Sequence, residues 1–105
     1  WRDEHVEFLT RINAFIKAQG SVPGIQLAHA GRKASTYGLT GGHGAVPVAE
    51  GGWEVVGPTD QPFAPAYPTP TALDAAGIRK AVADFAAATR RAVAAGGGAG
   101  RPGRG

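Results

Sequence analysis

The most informative segment of the sequence is Gly24-Ile25-Gln26-Leu27-Ala28-His29-Ala30-Gly31. In a strand, Ile25, Leu27 and His29 would point to one face and Gln26, Ala28 and Ala30 to the other, because successive side chains alternate. Large groups on one face and small or polar groups on the other are typical of a strand in a layered α/β protein, with helices against the larger face. We therefore predict a β-strand over residues 24–31.

A helix is predicted before this strand. Apolar residues recur at helical spacing from Val6 to Ile16, Asp3 is a plausible N-cap, and Gly20 is placed where a glycine would end the helix. These signals predict a helix over about residues 4–18.

A second helix is predicted over residues 75–95. Asp74 precedes it as a good N-cap, and Gly96 follows it as a stop. Arg90 and Arg91 fall near its C-terminal end, where positive charge suits the helix dipole. We expect its buried stripe to consist of Ile78, Val82, Phe85, Ala86 and Val93.

Residues 32–70 show no periodicity and form a long loop. Loops beyond ~12–15 residues are uncommon in compact domains and are usually functional or disordered. Five prolines between Pro58 and Pro70 exclude a helix there. Val46–Val48 and Trp53–Val56 are candidates for short extended pieces. The order helix, strand, long loop, helix indicates parallel α/β architecture, in which this one strand needs partners from elsewhere.

Composition excludes several classes of protein. The chain has no cysteine, which excludes disulfides and thiolate metal sites, and its three histidines are too scattered to suggest a metal centre. No apolar run approaches the ~20 residues of a membrane span. The net charge of +3 comes from dispersed basic residues with acids among them, so no nucleic-acid partner is expected. We expect a cytoplasmic protein.

The segment Gly24–Ser35 closely resembles a signature of the old yellow enzyme family. It looks most like the branch of bacterial xenobiotic reductases and NADPH dehydrogenases. Four further segments resemble that branch in the same order: Trp1–Val6, Phe15–Gly20, Gly52–Pro58 and Phe85–Ala92. The resemblance implies a (β/α)₈ barrel that holds FMN. Such barrels need about 250 residues, so residues 1–95 would be a fragment: the helix before strand 3, strand 3, its long loop and helix 3.

The resemblance implies one cofactor contact and one substrate contact. The glutamine matching Gln26 contacts the pyrimidine end of the flavin, and a carboxamide carries the acceptor and donors which that edge requires. Ala28, on the same strand face, would line the substrate space above the flavin. The alternatives are a polar strand residue for Gln26 and close packing for Ala28. His29 is expected to face away and pack against backbone, and no catalytic residue is expected in this chain.

Three other residues have open interpretations. Arg32 and Lys33 follow the strand, where they could hold an anion or form a surface or structural pair. Trp53 could be a lid aromatic or a subunit contact, although anchoring of the loop is the favoured interpretation.

The activity implied by the resemblance is that of an FMN-dependent ene-reductase. NAD(P)H would reduce the flavin, which would pass hydride to an electron-poor alkene or another xenobiotic; the parent enzyme's homo-oligomerisation stays open. This chain alone is expected to be inactive. One alternative is a small RNA-binding module that uses Arg101 and Arg104 of the tail. Another is a different barrel enzyme with Lys33 as a Schiff-base lysine.

The last ten residues, 96–105, depart from the family pattern. The family continues with a fourth strand that carries a His-x-x-His or His-x-x-Asn pair, and this sequence continues with glycine and arginine. We expect a disordered tail and a frameshift or truncation close to Gly96.

Overall fold

The computed structural model describes residues 2–96. Its elements in chain order are α1 (His5–Ala18), β1 (Val56–Gly57), β2 (Thr71–Ala72) and α2 (Ala75–Ala94), with 3₁₀ turns at Gly31–Lys33 and Val48–Glu50. The described residues form two compact units: one combines residues 2–27 with residues 80–96, and the other is Ala28–Arg79. Helices with a small parallel sheet fit the predicted α/β class. The predicted disordered tail lies, beyond Gly96, outside the described residues.

The first predicted helix is confirmed as α1. Gly20 has a left-handed φ of 79°, and its N–H donates to Lys17 O at 2.9 Å while the Ser21 N–H donates to Ile16 O at 3.2 Å. This pair of bonds is a Schellman motif, which satisfies the last carbonyls of the helix. The predicted cap is wrong: Glu4 occupies the N-cap position without a side-chain cap bond, because the Asp3 carboxylate pairs with Arg91 instead.

The second predicted helix is confirmed as α2, together with both of its boundary signals. Asp74 Oδ1 accepts the Gly77 N–H at 2.7 Å, which satisfies one of the unpaired donors of the first turn. At the other end, Gly96 has φ 79° and donates to Val93 O at 2.9 Å. Glycine adopts this conformation without the steric cost of a side chain.

The strand predicted over residues 24–31 is not formed. Residues 21–30 belong to no helix or ladder, and Gly31 begins a 3₁₀ turn. A strand is defined by hydrogen bonds to a neighbour, and among residues 2–96 no segment pairs with this one. The side-chain alternation is present in the sequence, but the partner strands that it requires are not among the described elements.

The large apolar stripe predicted to be buried on α2 is exposed. Val82 is 66% exposed, and Ile78, Phe85 and Val93 are also exposed. The buried residues at the C-terminal end of the helix are the small ones, Ala92 and Ala95. The periodicity therefore identified the helix correctly but not its buried face, because no layer of the described chain covers the large stripe.

Within the first unit, one polar contact joins α1 to the end of α2, and another joins Asp3, just before α1, to the same end. The Asn13 side-chain amide donates to Ala95 O at 2.7 Å, which satisfies a carbonyl just after the last turn of α2. Arg91 Nε donates to Asp3 Oδ1 at 2.6 Å. These bonds lie at the C-terminal end of α2, where its buried alanines also lie.

The second unit contains a small parallel sheet. β1 and β2 pair with Val56 opposite Thr71, and the Thr71 N–H donates to Val55 O at 2.8 Å. Residues 58–70 connect the two strands, a length that suits a parallel crossover, and contain no helix, as the prolines predict. Val55 and Pro70 are almost fully buried. The predicted long loop therefore has its own small core.

The first half of the loop folds back on itself. Thr36 and Ala45 form an isolated antiparallel bridge, and the Val46 N–H donates to Ser35 O at 2.8 Å. The predicted extended piece at Val46–Val48 is only partly correct, since Val48 begins a 3₁₀ turn. Gly52 closes this turn by donating to Pro47 O at 3.0 Å.

Substitution of Gly52 tests this turn. A Cβ at Gly52 would overlap the carbonyl oxygen of Val46 and lie 2.9 Å from Pro47 O. Both atoms belong to the backbone, so Gly52→Ala should destabilise the second unit by ~1–3 kcal/mol, the usual cost of forced overpacking. Trp53 fluorescence during urea unfolding, in a Trp1→Phe background, measures this loss.

Gly38→Ala is the matched control. No atom lies within 4 Å of a Cβ at Gly38, and Gly38 does not have a left-handed φ. Equal unfolding midpoints for the two variants would contradict the close contact at Gly52.

Candidate functional site

The predicted cofactor residue lies in the segment between the Schellman turn and the first 3₁₀ turn. Gln26 is exposed, and its carboxamide makes no side-chain hydrogen bond with any residue in the range 2–96. Its acceptor oxygen and two donor hydrogens are therefore available to solvent or a ligand. This availability fits the edge of a flavin, which presents both acceptors and a donor.

Ala28 and His29 follow on the same segment, and both are exposed. A small exposed side chain at Ala28 is compatible with a substrate-facing position. The prediction that His29 is packed is wrong. Packing of that face requires the strand ladder, which the described residues do not form.

Ile25 faces an apolar cavity of about 150 Å³ in the first unit. The cavity is lined by residues of α1, of the segment before Gln26 and of the end of α2: Leu9, Ile12, Asn13, Ile16, Gly24, Ile25, Ala92 and Ala95. Of the larger face of the predicted strand, Ile25 is therefore directed at the helices. Ile25 nevertheless stays partly exposed.

Arg32 and Lys33 both make contacts within the second unit. Arg32 Nη1 donates to Gln61 O at 3.4 Å, and its aliphatic stem lies against Gly57. Lys33 Nζ lies 4.1 Å from the ring centroid of Phe63, a cation–π contact that requires the charged ammonium. Phe63 in turn packs edge-on against Tyr67 at 5.0 Å. This arrangement favours the structural interpretation of both residues over an anion site or a Schiff-base lysine.

Trp53 is 59% exposed, so the described residues do not show its indole anchoring the loop. Its backbone is fixed instead, because the Trp53 N–H donates to Ser35 Oγ at 3.0 Å. Ser35 is 4% exposed. Sequence reasoning missed Ser35, since no sequence pattern marks a serine that binds a residue so far along the chain.

Tyr37 makes a second side-chain contact in the same part of the loop. Its hydroxyl donates to Glu50 Oε2 at 2.5 Å. This hydrogen bond, together with partial desolvation and the negative charge of Glu50, raises the pKa of Tyr37 above its ordinary value. The sequence carried no signal for this pair.

The described residues contain no group of three or more histidine, cysteine or acidic side chains that could hold a metal ion. Neither α1 nor α2 is both long and apolar enough to cross a bilayer.

Residues 1–98 match the profile of the NADH:flavin oxidoreductase / NADH oxidase family. The chain belongs to this family. The match includes the segment from Gly24 to Ser35 and all four of the other segments on which the predicted resemblance depends. The predicted relationship is therefore confirmed.

The chain is similar to curated NADPH dehydrogenases and to an NADH:flavin oxidoreductase. The NADPH dehydrogenase of Geobacillus thermodenitrificans is 35% identical over 96 residues, and that of Bacillus subtilis is 34% identical over 96 residues. An NADH:flavin oxidoreductase of Gibberella zeae is 40% identical over 100 residues. Each alignment covers 91% of this chain and 24% of the relative. The chain thus spans about a quarter of the length of these family members.

The pKa of Tyr37 gives a test of the loop contact. A raised pKa means that folding favours the neutral phenol, so this contribution to stability is present at neutral pH and is lost as pH rises through the raised value. In a Tyr67→Phe background, absorbance at 295 nm reports Tyr37 alone. We expect Glu50→Gln to lower the titration midpoint, because the carboxylate charge is removed.

Glu54→Gln is the control, since the Glu54 carboxylate accepts from Thr71 and not from Tyr37. If the titration midpoint is the same in the Tyr67→Phe background with and without Glu50→Gln, then Glu50 does not raise the pKa of Tyr37.

Proposed function

We propose that this chain is part of an FMN-dependent NAD(P)H oxidoreductase of the ene-reductase or xenobiotic reductase type. The observation that carries the proposal is the family match over residues 1–98, which contains Gln26. The names of the relatives, NADPH dehydrogenase and NADH:flavin oxidoreductase, support a flavin and a nicotinamide reductant. When bound, the flavin would supply the hydride chemistry, and the protein would supply binding and orientation.

Gln26 is the residue proposed to orient the flavin. Its carboxamide is exposed and makes no side-chain hydrogen bond within the described range. It can therefore donate to a carbonyl oxygen and accept from the ring N–H of the flavin's pyrimidine edge. Because the amide is neutral, it binds without placing a full charge beside the ring.

Ala28 is proposed to border the substrate. Its methyl group leaves space for a small-molecule acceptor, for which we propose an electron-poor alkene or another xenobiotic. Ala28 lies two positions after Gln26, so both side chains would face the same side of a strand once the segment is paired.

The complete enzyme is proposed to be a (β/α)₈ barrel, in which residues 1–95 supply one strand and two helices. The exposed apolar stripe of α2, from Ile78 to Val93, supports this proposal, because helices of such barrels bury one apolar face against the strands. On its own the chain should lack activity. Homo-oligomerisation of the complete enzyme and its location in the cytoplasm remain predictions.

The alternative of an RNA-binding module is not supported. It depends on Arg101 and Arg104, which lie outside the described residues. The family match accounts for almost the whole chain without it.

A segment exchange tests the proposed function. Residues 1–96 of this chain would replace the aligned quarter of the Geobacillus thermodenitrificans NADPH dehydrogenase. We expect the chimera to bind FMN and to oxidise NADPH, whereas the isolated chain should do neither. Gln26→Ala in the chimera should weaken FMN binding about tenfold, as expected for the loss of one or two hydrogen bonds. Flavin fluorescence quenching measures the affinity.

Gln19→Ala is the matched control, because Gln19 is an exposed glutamine at the C-cap of α1. A folded chimera that binds no FMN would argue against the proposed function. A chimera in which Gln26→Ala and Gln19→Ala bind FMN equally well would remove Gln26 from the cofactor site.

A further inference from the structure

Ser35 has an unusual backbone conformation. Its φ is +52°, and it is the only non-glycine residue with a positive φ among residues 2–96. Such a conformation is uncommon outside glycine, asparagine and aspartate, and persists where surrounding contacts hold it. Ser35 is also buried, with 4% of its surface exposed. A buried polar residue in a strained conformation is a candidate for a positional role.

The contacts that hold Ser35 come from two places further along the chain. Its carbonyl oxygen accepts the Val46 N–H at 2.8 Å, and its Oγ accepts the Trp53 N–H at 3.0 Å. We call residues 36–52 the strap. The strap starts directly after Ser35, and Trp53, the residue that follows it, is hydrogen-bonded back to Ser35.

The strap is also organised internally. Thr36 pairs with Ala45 across an antiparallel bridge, and the Tyr37 hydroxyl donates to Glu50. Its one backbone bond to the following part of the loop runs from the Ala45 N–H to Ala66 O at 2.9 Å. The bridge and the Tyr37–Glu50 bond tie the two arms of the strap to each other.

We propose that Ser35 is the hinge of the strap and that the Trp53–Ser35 bond is its closure. The closure holds Ser35 in the left-handed region. When the bond breaks, Ser35 relaxes to a negative φ, its carbonyl turns away from Val46, and the strap detaches. The exposed indole of Trp53 moves with the end of the strap, so this device controls where that aromatic group lies.

Amide hydrogen exchange measured by NMR on the full chain tests the hinge. Ser35→Ala removes the acceptor and leaves the strain. The Trp53 amide should then exchange roughly fivefold faster, the effect of one lost hydrogen bond, and the Val46 and Ala45 amides should accelerate with it. Ser35→Gly also removes the acceptor but relieves the strain. In this variant Val46 should exchange more slowly than in Ser35→Ala.

The fluorescence emission of Trp53, measured in a Trp1→Phe background, provides a second readout. Its shift from the emission of the parent chain should be smaller for Ser35→Gly than for Ser35→Ala. Ser21→Ala is the control, since Ser21 is an exposed serine whose side chain makes no hydrogen bond with any other described residue. Amides within α1 report whether the fold is intact.

Two results would overturn the proposal. If Ser35→Ala accelerates the Trp53 amide but leaves Val46 and Ala45 unchanged, Ser35 is a local acceptor and not a hinge. If Ser35→Gly and Ser35→Ala have equal effects on Val46, the left-handed conformation has no part in closing the strap. Neither readout uses a flavin, so both outcomes are independent of the proposed oxidoreductase function.

Discussion

The backbone of residues 24–29 neither donates nor accepts a backbone hydrogen bond within the described range. Unpaired backbone groups are tolerated only where water or another strand can satisfy them. This segment therefore stays at the surface, and Gln26, Ala28 and His29 are exposed together with it. In the proposed barrel, a sheet built on this segment would also cover the large apolar side chains of the helices.

The sequence was most informative where structure depends on local chemistry. Both helices were predicted within a residue or so of their observed bounds, and the carboxylate of Asp74 and the glycines at 20 and 96 act as predicted. A cap or a glycine stop involves only the few residues around it. Asp3 shows the limit: it has the chemistry of a cap, but an arginine far along the chain competes for its carboxylate. Such competition cannot be inferred from spacing.

Burial and loop folding were harder to predict because both depend on distant parts of the chain. The pattern on α2 requires a buried face for Val82 and Phe85, whereas the contacts available in this chain bury its terminal alanines. The loop was predicted to have no periodic pattern. It contains two short parallel strands, which pair across a proline-rich connection. Of the candidate site, Gln26 came from the resemblance and not from any physical pattern. An exposed glutamine in an unpaired segment is unremarkable without the family match.

The two units differ in how well their own buried side chains and hydrogen bonds stabilise them. The second unit has buried side chains at Val55 and Pro70, a parallel pair and a buried serine that joins distant backbone groups. In the first unit, the buried alanines and two polar contacts sit beside large exposed side chains, such as Phe15 at 67%. Local stability follows the density of buried apolar contacts and protected hydrogen bonds. The loop should therefore keep its structure more independently of other chain segments than the helices do. Trp53 lies on this self-supporting loop, with its indole exposed and its N–H bound by the buried Ser35.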